Sequence, residues 1–220
     1  MSMNIPNVVF LTSGSGGDYF ALEKSRKFGF LNYNVKAVIS SDENSSCFQD
    51  AIIKDYKTCL VSKKGKDKTS FIRDLTSELN KVQWDICVLA GFKYILPPEI
   101  VSSNFKKIIN SHHSILPANP GLYKKETLIT SDNKLLGATV HYVDNGVDSG
   151  EKIAQGAFPN FGIENLEVVL KKYRTLQNIL IINSFMIATN QIKKIDSCTS
   201  FEDIIFWPAI EKDVFKIVKN

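Results

Sequence analysis

Asp85-Ile86-Cys87-Val88-Leu89-Ala90 reads as a strand, the most apolar among the strands expected from strand–helix alternation, with no polar residue after its first position. A strand with one wet face alternates in hydropathy; a run without alternation fits a parallel strand covered on both faces. Working outward, Val8-Val9-Phe10-Leu11 is a second such run, closed by Ser13-Gly14-Ser15-Gly16-Gly17, and a helix is expected from about Asp18. Val35 to Ser40 reads as a strand, Cys47 to Tyr56 as a helix, and Thr58 to Ser62 as a short strand. The lysine-rich Lys63 to Lys68 that follows reads as a solvated loop. From about Thr69, Phe71, Leu75 and Leu79 recur every fourth residue, with Ile72 alongside, which makes one core-facing helical stripe. Lys107 to Ser111 is a further strand. Strands spaced by helices argue an α/β fold built on a doubly wound, mostly parallel sheet, whose ligands bind beyond the carboxyl ends of the strands.

The second half reads differently. Gly137 to Asp144 and Ile153 to Phe158 are two strands close in sequence, expected to pair antiparallel, and a long C-terminal helix should run from about Glu164 to Thr189. Phe201, Ile204, Ile205, Phe206 and Trp207 are too apolar for a free tail, and Pro208 is placed to open a last helix through Val218. The expected organisation is one catalytic domain over residues 1–195, with residues 196–220 an extension packed on it.

Composition removes several function classes. The 220 residues are 44% hydrophobic and 23% charged, enough for a core that needs no staples. The net charge is only +4, carried by 24 Lys and three Arg (Arg26, Arg73, Arg174), so Arg, the bidentate reader of guanine and phosphate, is scarce. No nucleic-acid partner is expected. Cys47, Cys59, Cys87 and Cys198 form no CxxC pair, so neither a zinc site nor a disulfide framework follows. The first apolar run is too short for a signal peptide, and none approaches a membrane span, so a reduced, cytoplasmic protein is expected.

Three loops at strand ends carry chemistry. Ser13 to Asp18 offers glycine backbone N–H groups and a helix N-terminus that could cradle an anion, or is simply a tight turn with Asp18 as the helix cap. Asn110-Ser111-His112-His113-Ser114 brings a carboxamide and two imidazoles out of a strand, groups suited to holding an oxyanion and moving a proton near neutral pH. Alternation pairs Asn110 with His112 and turns His113 to the other face, in a supporting role. Val143-Asp144-Asn145-Gly146-Val147-Asp148-Ser149-Gly150 is a glycine-punctuated loop whose aspartates matter if one folds back onto His112, where a carboxylate favours and orients an imidazolium. His141, mid-strand, reads as a packed histidine. A metal site drawn from these residues is disfavoured, because neighbouring histidines on a strand point to opposite faces.

The order Asn110-x-His112-x-Ser114-x-Leu116-Pro117, followed by Asp148 in Gly146-Val147-Asp148-Ser149-Gly150, resembles the folate-dependent formyltransferases, and among them the branch acting on glycinamide ribonucleotide. The resemblance runs from about residue 7 to 190. It implies a Rossmann-like formyltransferase fold, 10-formyltetrahydrofolate as co-substrate, no metal, a small-molecule amine as partner, and a monomer or homodimer in one-carbon and purine metabolism. It further implies that the acceptor amine attacks the formyl carbon while Asn110 and protonated His112 hold the oxyanion. Asp148 keeps His112 charged and, through a water, helps move the proton. The folate would lie against Phe92, Lys93, Tyr94, Ile95 and Leu96 and against Val143, Asp144 and Gly146. The acceptor would meet Ser15, Gly16, Gly17, Asp18, Gly91, His113 and Gln177.

The acceptor end departs from that branch. Gly16-Gly17-Asp18 stands where Gly-Ser-Asn is expected, Gln177-Asn178 where Glu-His is expected, and Leu122-Tyr123-Lys124-Lys125 where histidines follow Pro120-Gly121. Lys93-Tyr94 replaces Met-Arg. Two alternatives therefore stand beside glycinamide ribonucleotide. One is N-formylation of a nucleotide-linked amino sugar. The other is hydrolysis of 10-formyltetrahydrofolate, suggested by His112-His113-Ser114 and opposed by a chain that begins directly at its first strand.

Overall fold

A computed structural model describes residues 5–122, 132–162, 165–210 and 212–219. The chain forms two compact units, residues 1–110 and 111–220. The first contains β1 (Asn7–Thr12), α1 (Gly17–Lys27), β2 (Asn34–Ser40), α2 (Ser46–Ile53), β3 (Thr58–Leu60), α3 (Lys68–Asn80), β4 (Ile86–Ala90), α4 (Pro98–Ser103) and most of β5 (Ile108–His112). Its strands stand in the order β3-β2-β1-β4-β5, every pair parallel. Phe10 of β1 lies level with Val38 of β2 and Val88 of β4. All five residues of β4 are buried, as the missing alternation required.

Local signals set the helices around this sheet. Asp67 caps α3 by accepting from the Ser70 N–H at 2.7 Å, and Phe71, Leu75 and Leu79 form its buried stripe. Of the two readings of the loop before α1, the one that made Asp18 the helix cap is not met. Gly16 holds that position in the left-handed region (φ 68°), and Asp18 sits buried inside the first turn. A side chain at 16 is excluded twice, by its φ and by Cys47, whose Cβ lies 2.5 Å from where a Cβ would stand.

Glu23 on α1 is buried yet fully engaged. Its carboxylate accepts from Arg26 Nε (2.9 Å), Tyr33 Oη (2.9 Å), Tyr56 Oη (2.8 Å) and Lys54 Nζ (3.1 Å). Burial alone would raise its pKa; the Arg26, Tyr56, Lys54 and Tyr33 donors overcome this and lower it to about 2. A carboxylate lowered in this way adds stability above its ordinary range, and the gain is lost as pH falls from about 4.5 toward 2. Glu23→Gln is expected to cost about 3 kcal/mol at neutral pH, because the donors lose a charged acceptor. Urea melts at pH 7 and pH 2.5 check this: the gap between variant and wild type should close at the lower pH.

The second unit begins with the end of β5 and contains β6 (Leu135–Tyr142), β7 (Lys152–Pro159), α5 (Leu166–Ala188), β8 (Thr199–Phe201), β9 (Ile204–Trp207) and α6 (Lys212–Lys219). β6 and β7 pair antiparallel, β9 lies antiparallel on β7, and β8 on β9. The long helix packs on β6 and β7, where Gly156 allows close approach: a Cβ there would meet Leu176 Cδ1 at 2.4 Å. The last helix runs over Lys212–Lys219 and does not open at Pro208, while Thr199 to Trp207, read only as too apolar for a free tail, makes a hairpin that extends the antiparallel sheet. Its alternate burial, with Ile204 and Phe206 inside and Ile205 out, is a period-two signal that the apolar content had masked. Phe215 of α6 stacks on Phe201 at 4.8 Å. The expected helix start near Glu164 and the departure at Tyr123, Lys124 and Lys125 lie outside the described residues. Among the described residues, no helix is long and apolar enough to cross a membrane.

Candidate active site

The carboxyl ends of the parallel strands carry the first set of candidates. After β1, hydroxyls pin the glycine loop: Ser45 Oγ donates to the Gly14 carbonyl at 2.7 Å, and Ser13 Oγ lies 2.7 Å from Ser41 Oγ. The loop after β4 starts at Gly91 (φ 70°), and the Lys93 N–H points at Ser13 Oγ, 3.4 Å away. Gly91 thus lies beside Gly16, whose backbone nitrogen is 3.9 Å from a Cβ placed at 91. Ser15, Gly16, Gly17, Asp18 and Gly91 accordingly share one edge of the first unit. In the same loop, Phe92 and Tyr94 are in edge contact at 5.6 Å, and Ile95 is 71% exposed. Leu96 is buried.

β5 delivers Asn110 and then, two residues on, His112. The second unit surrounds His112 with acceptors. Its Nδ1 lies 3.3 Å from Asp148 Oδ2, and its Nε2 lies 2.7 Å from the Asn119 carbonyl oxygen. A carbonyl only accepts, so Nε2 carries a hydrogen in this arrangement. Both ring nitrogens thereby face acceptors, which the doubly protonated imidazole satisfies.

Asp148 reaches this position because it adopts the left-handed region at φ 52°, which Asp and Asn tolerate better than other side chains. Its carboxylate is shared. Oδ2 accepts from the Gly121 N–H at 2.8 Å and faces His112, while Oδ1 lies 3.5 Å from His141 Nε2. The His141 hydrogen bond is the main cause that lowers the Asp148 pKa to about 2, against burial and aided by the Gly121 N–H and the His112 charge. The carboxylate is therefore ionised wherever an enzyme of ordinary pH range would work.

His141 is more than the packed histidine expected. Its Nδ1 bonds the Tyr142 carbonyl at 2.9 Å, which aims Nε2 at Asp148. The β6–β7 register shifts between Val140 and His141, and this irregularity was invisible in the sequence. Sequence reading also passed over Thr139 and Gln155. Thr139 Oγ1 donates to the Ser114 carbonyl (2.7 Å) and accepts from the Leu116 N–H (3.0 Å), while Gln155 Nε2 donates to the Leu116 carbonyl at 2.8 Å. Together they fix the chain that leads from His112 to Asn119. His113 turns to the other face, where its Nδ1 meets the Gln177 side chain on α5. Asp144 closes its own loop, accepting from Ser149 Oγ (2.7 Å) and the Gly146 N–H (3.1 Å). Val143 precedes that loop, and Val147 stands 53% exposed beside Asp148.

Gly150 anchors the Asp148 loop against β6. A Cβ there would stand 1.8 Å from the Tyr142 carbonyl oxygen, a clash with backbone that no rotamer relieves. Gly150→Ala is expected to destabilise the protein by about 1–3 kcal/mol and to displace Asp148. Thermal melting checks the first effect, and the histidine nitrogen chemical shifts of His112 and His141 check the second.

An α/β fold that ends a parallel strand in an amide and an imidazole, with an ionised carboxylate behind the imidazole, is equipped for acyl-type transfer through an oxyanion. Residues 6–184 match the formyl transferase family, and the chain belongs to that family. It is 27% identical over 175 residues to phosphoribosylglycinamide formyltransferase of Escherichia coli K12, covering 79% of this chain and 82% of that protein. The crystal structure of phosphoribosylglycinamide formyltransferase from Bacillus halodurans is similar at a TM-score of 0.76 and 28% identity, covering 86% of this chain and 96% of the other. A formyltetrahydrofolate deformylase of Escherichia coli O6:H1 is 32% identical over 128 residues, 58% of this chain, which spans less than half of that protein (45%).

Proposed function

We propose that the protein transfers the formyl group of 10-formyltetrahydrofolate to a primary amine, and that the amine is that of glycinamide ribonucleotide. The observation that carries the reading is the Asp148 carboxylate held against His112, with Asn110 two residues earlier on β5. The folate supplies, when bound, a formyl carbon open to attack by an amine. Everything else falls to this chain. Asp148 fixes the orientation of His112 through Nδ1, so that the Nε2–H is the donor presented to a developing oxyanion. That donor is now taken by the Asn119 carbonyl, for which the formyl oxygen would substitute. Asn110 contributes the second donor, an amide with no charge to lose. His141 holds the far oxygen of Asp148, leaving the carboxylate a fixed partner as the proton moves.

The residues suit the folate on each unit taken by itself. The loop from Phe92 to Leu96, Lys93 and Tyr94 included, offers apolar side chains and backbone groups at the surface. Val143, Asp144 and Gly146 offer backbone held by internal hydrogen bonds. Ser15, Gly16, Gly17, Asp18 and Gly91, and on the second unit His113 and Gln177, are the proposed acceptor contacts. Incubation with 10-formyltetrahydrofolate and glycinamide ribonucleotide should release tetrahydrofolate, with none released when the amine is omitted. Release with only a nucleotide-linked amino sugar would move the acceptor. Release without any amine would favour hydrolysis, the second reading, which His112-His113-Ser114 and the similarity to a deformylase support.

A further inference from the structure

Between His112 and Gly121 the chain turns, and the base and tip of this turn are held by different partners. The base is fixed to the antiparallel sheet. Thr139 on β6 and Gln155 on β7 stand opposite one another in the register, and both reach the turn. Gln155 Nε2 donates to the Leu116 carbonyl at 2.8 Å and to Thr139 Oγ1 at 3.0 Å. Thr139 Oγ1 accepts from the Leu116 N–H and donates to the Ser114 carbonyl. Both backbone polar groups of the buried Leu116 are thus taken by side chains of the sheet. Within the turn, the Ala118 N–H bonds the Ile115 carbonyl at 3.0 Å, and Ser114 Oγ donates to the Ala118 carbonyl at 2.5 Å. These bonds tie base to tip. At the tip, the Asn119 carbonyl faces His112 Nε2 and the Gly121 N–H faces Asp148 Oδ2.

We infer that Gln155 is a positioning residue for formyl transfer. By holding the Leu116 carbonyl it sets where the Asn119 carbonyl stands, and so where the His112 Nε2–H points when the formyl oxygen takes that carbonyl's place. The inference rests on the reading of His112 as the oxyanion donor and deepens it. Thr139 cannot take over from Gln155, because its one hydroxyl hydrogen goes to the Ser114 carbonyl. A donor displaced by about 1 Å costs up to about 10² in rate, so a brace one turn away from the chemistry is felt in kcat.

The test compares Gln155→Leu, which deletes the amide, with Gln155→Glu, which keeps the shape and sets an acceptor against the Leu116 carbonyl. Turnover of 10-formyltetrahydrofolate with glycinamide ribonucleotide gives kcat and KM per folded protein, with thermal melting as the measure of folding. The His112 ring signals in proton–nitrogen spectra report the Nε2 hydrogen bond without any turnover. Gln155→Leu should lower kcat about tenfold and Gln155→Glu further, with both KM values within about twofold of wild type. The His112 Nε2 signal should shift in both variants. A packing role predicts the opposite order, with the isosteric Gln155→Glu the milder change, and that order overturns the inference. An unmoved His112 signal overturns it too, as does a loss carried by KM. Should Gln155→Glu fail to fold, the split between kcat and KM and the His112 signal of Gln155→Leu decide alone. A wild type that transfers no formyl group removes the donor reading of His112 and this inference with it, an outcome seen before any substitution is made.

Discussion

Asp148→Asn is expected to leave the protein folded and lower kcat for formyl transfer by about 10³. Asparagine keeps what the backbone asks of this position, because it tolerates the left-handed region and its carbonyl can accept from the Gly121 N–H. What it loses is the charge facing His112 and His141. The two imidazoles then face a neutral amide, and the orientation and protonation of His112 are no longer held. Circular dichroism and thermal melting should match wild type while turnover collapses. Near-normal turnover in a folded variant would remove Asp148 from the mechanism.

Asn110→Ala is expected to cost about 10² to 10³ in kcat, the typical effect of deleting one oxyanion donor. KM for the folate should move far less, because the amide acts on charge that exists only during transfer. Asn110 is the last residue of β5 paired with β4, opposite Leu89, where ladder hydrogen bonds come from the backbone and survive the substitution. A matched loss in kcat and in folate affinity would instead make Asn110 a binding residue.

The parallel half of the fold was legible because its signals are local. β4 carried its burial in its composition, and the stripe Phe71, Leu75, Leu79 carried the face of α3. The antiparallel half was legible only in part. β6 and β7 were found, but Ile204 to Trp207 pairs with β7, some fifty residues away, and no local pattern announces such a partner. The site followed the same rule. Asn110 and His112 stand two apart on one strand and read directly, whereas the place of His141 beside Asp148 depends on a register shift between β6 and β7. Asn119 and Gly121 contribute backbone atoms, and backbone groups have no sequence signature at all.

Position 148 also decides how this enzyme can vary. A library selected only for folding should be enriched in Asp, Asn and Gly there, the residues most at ease with φ 52°. A library selected for turnover should return Asp alone. Glutamate, the obvious charge-conserving replacement, is expected to be handicapped at the first selection without being excluded by it, since Glu202 takes φ 54° in this same chain. The left-handed turn thus screens for shape before chemistry is tested.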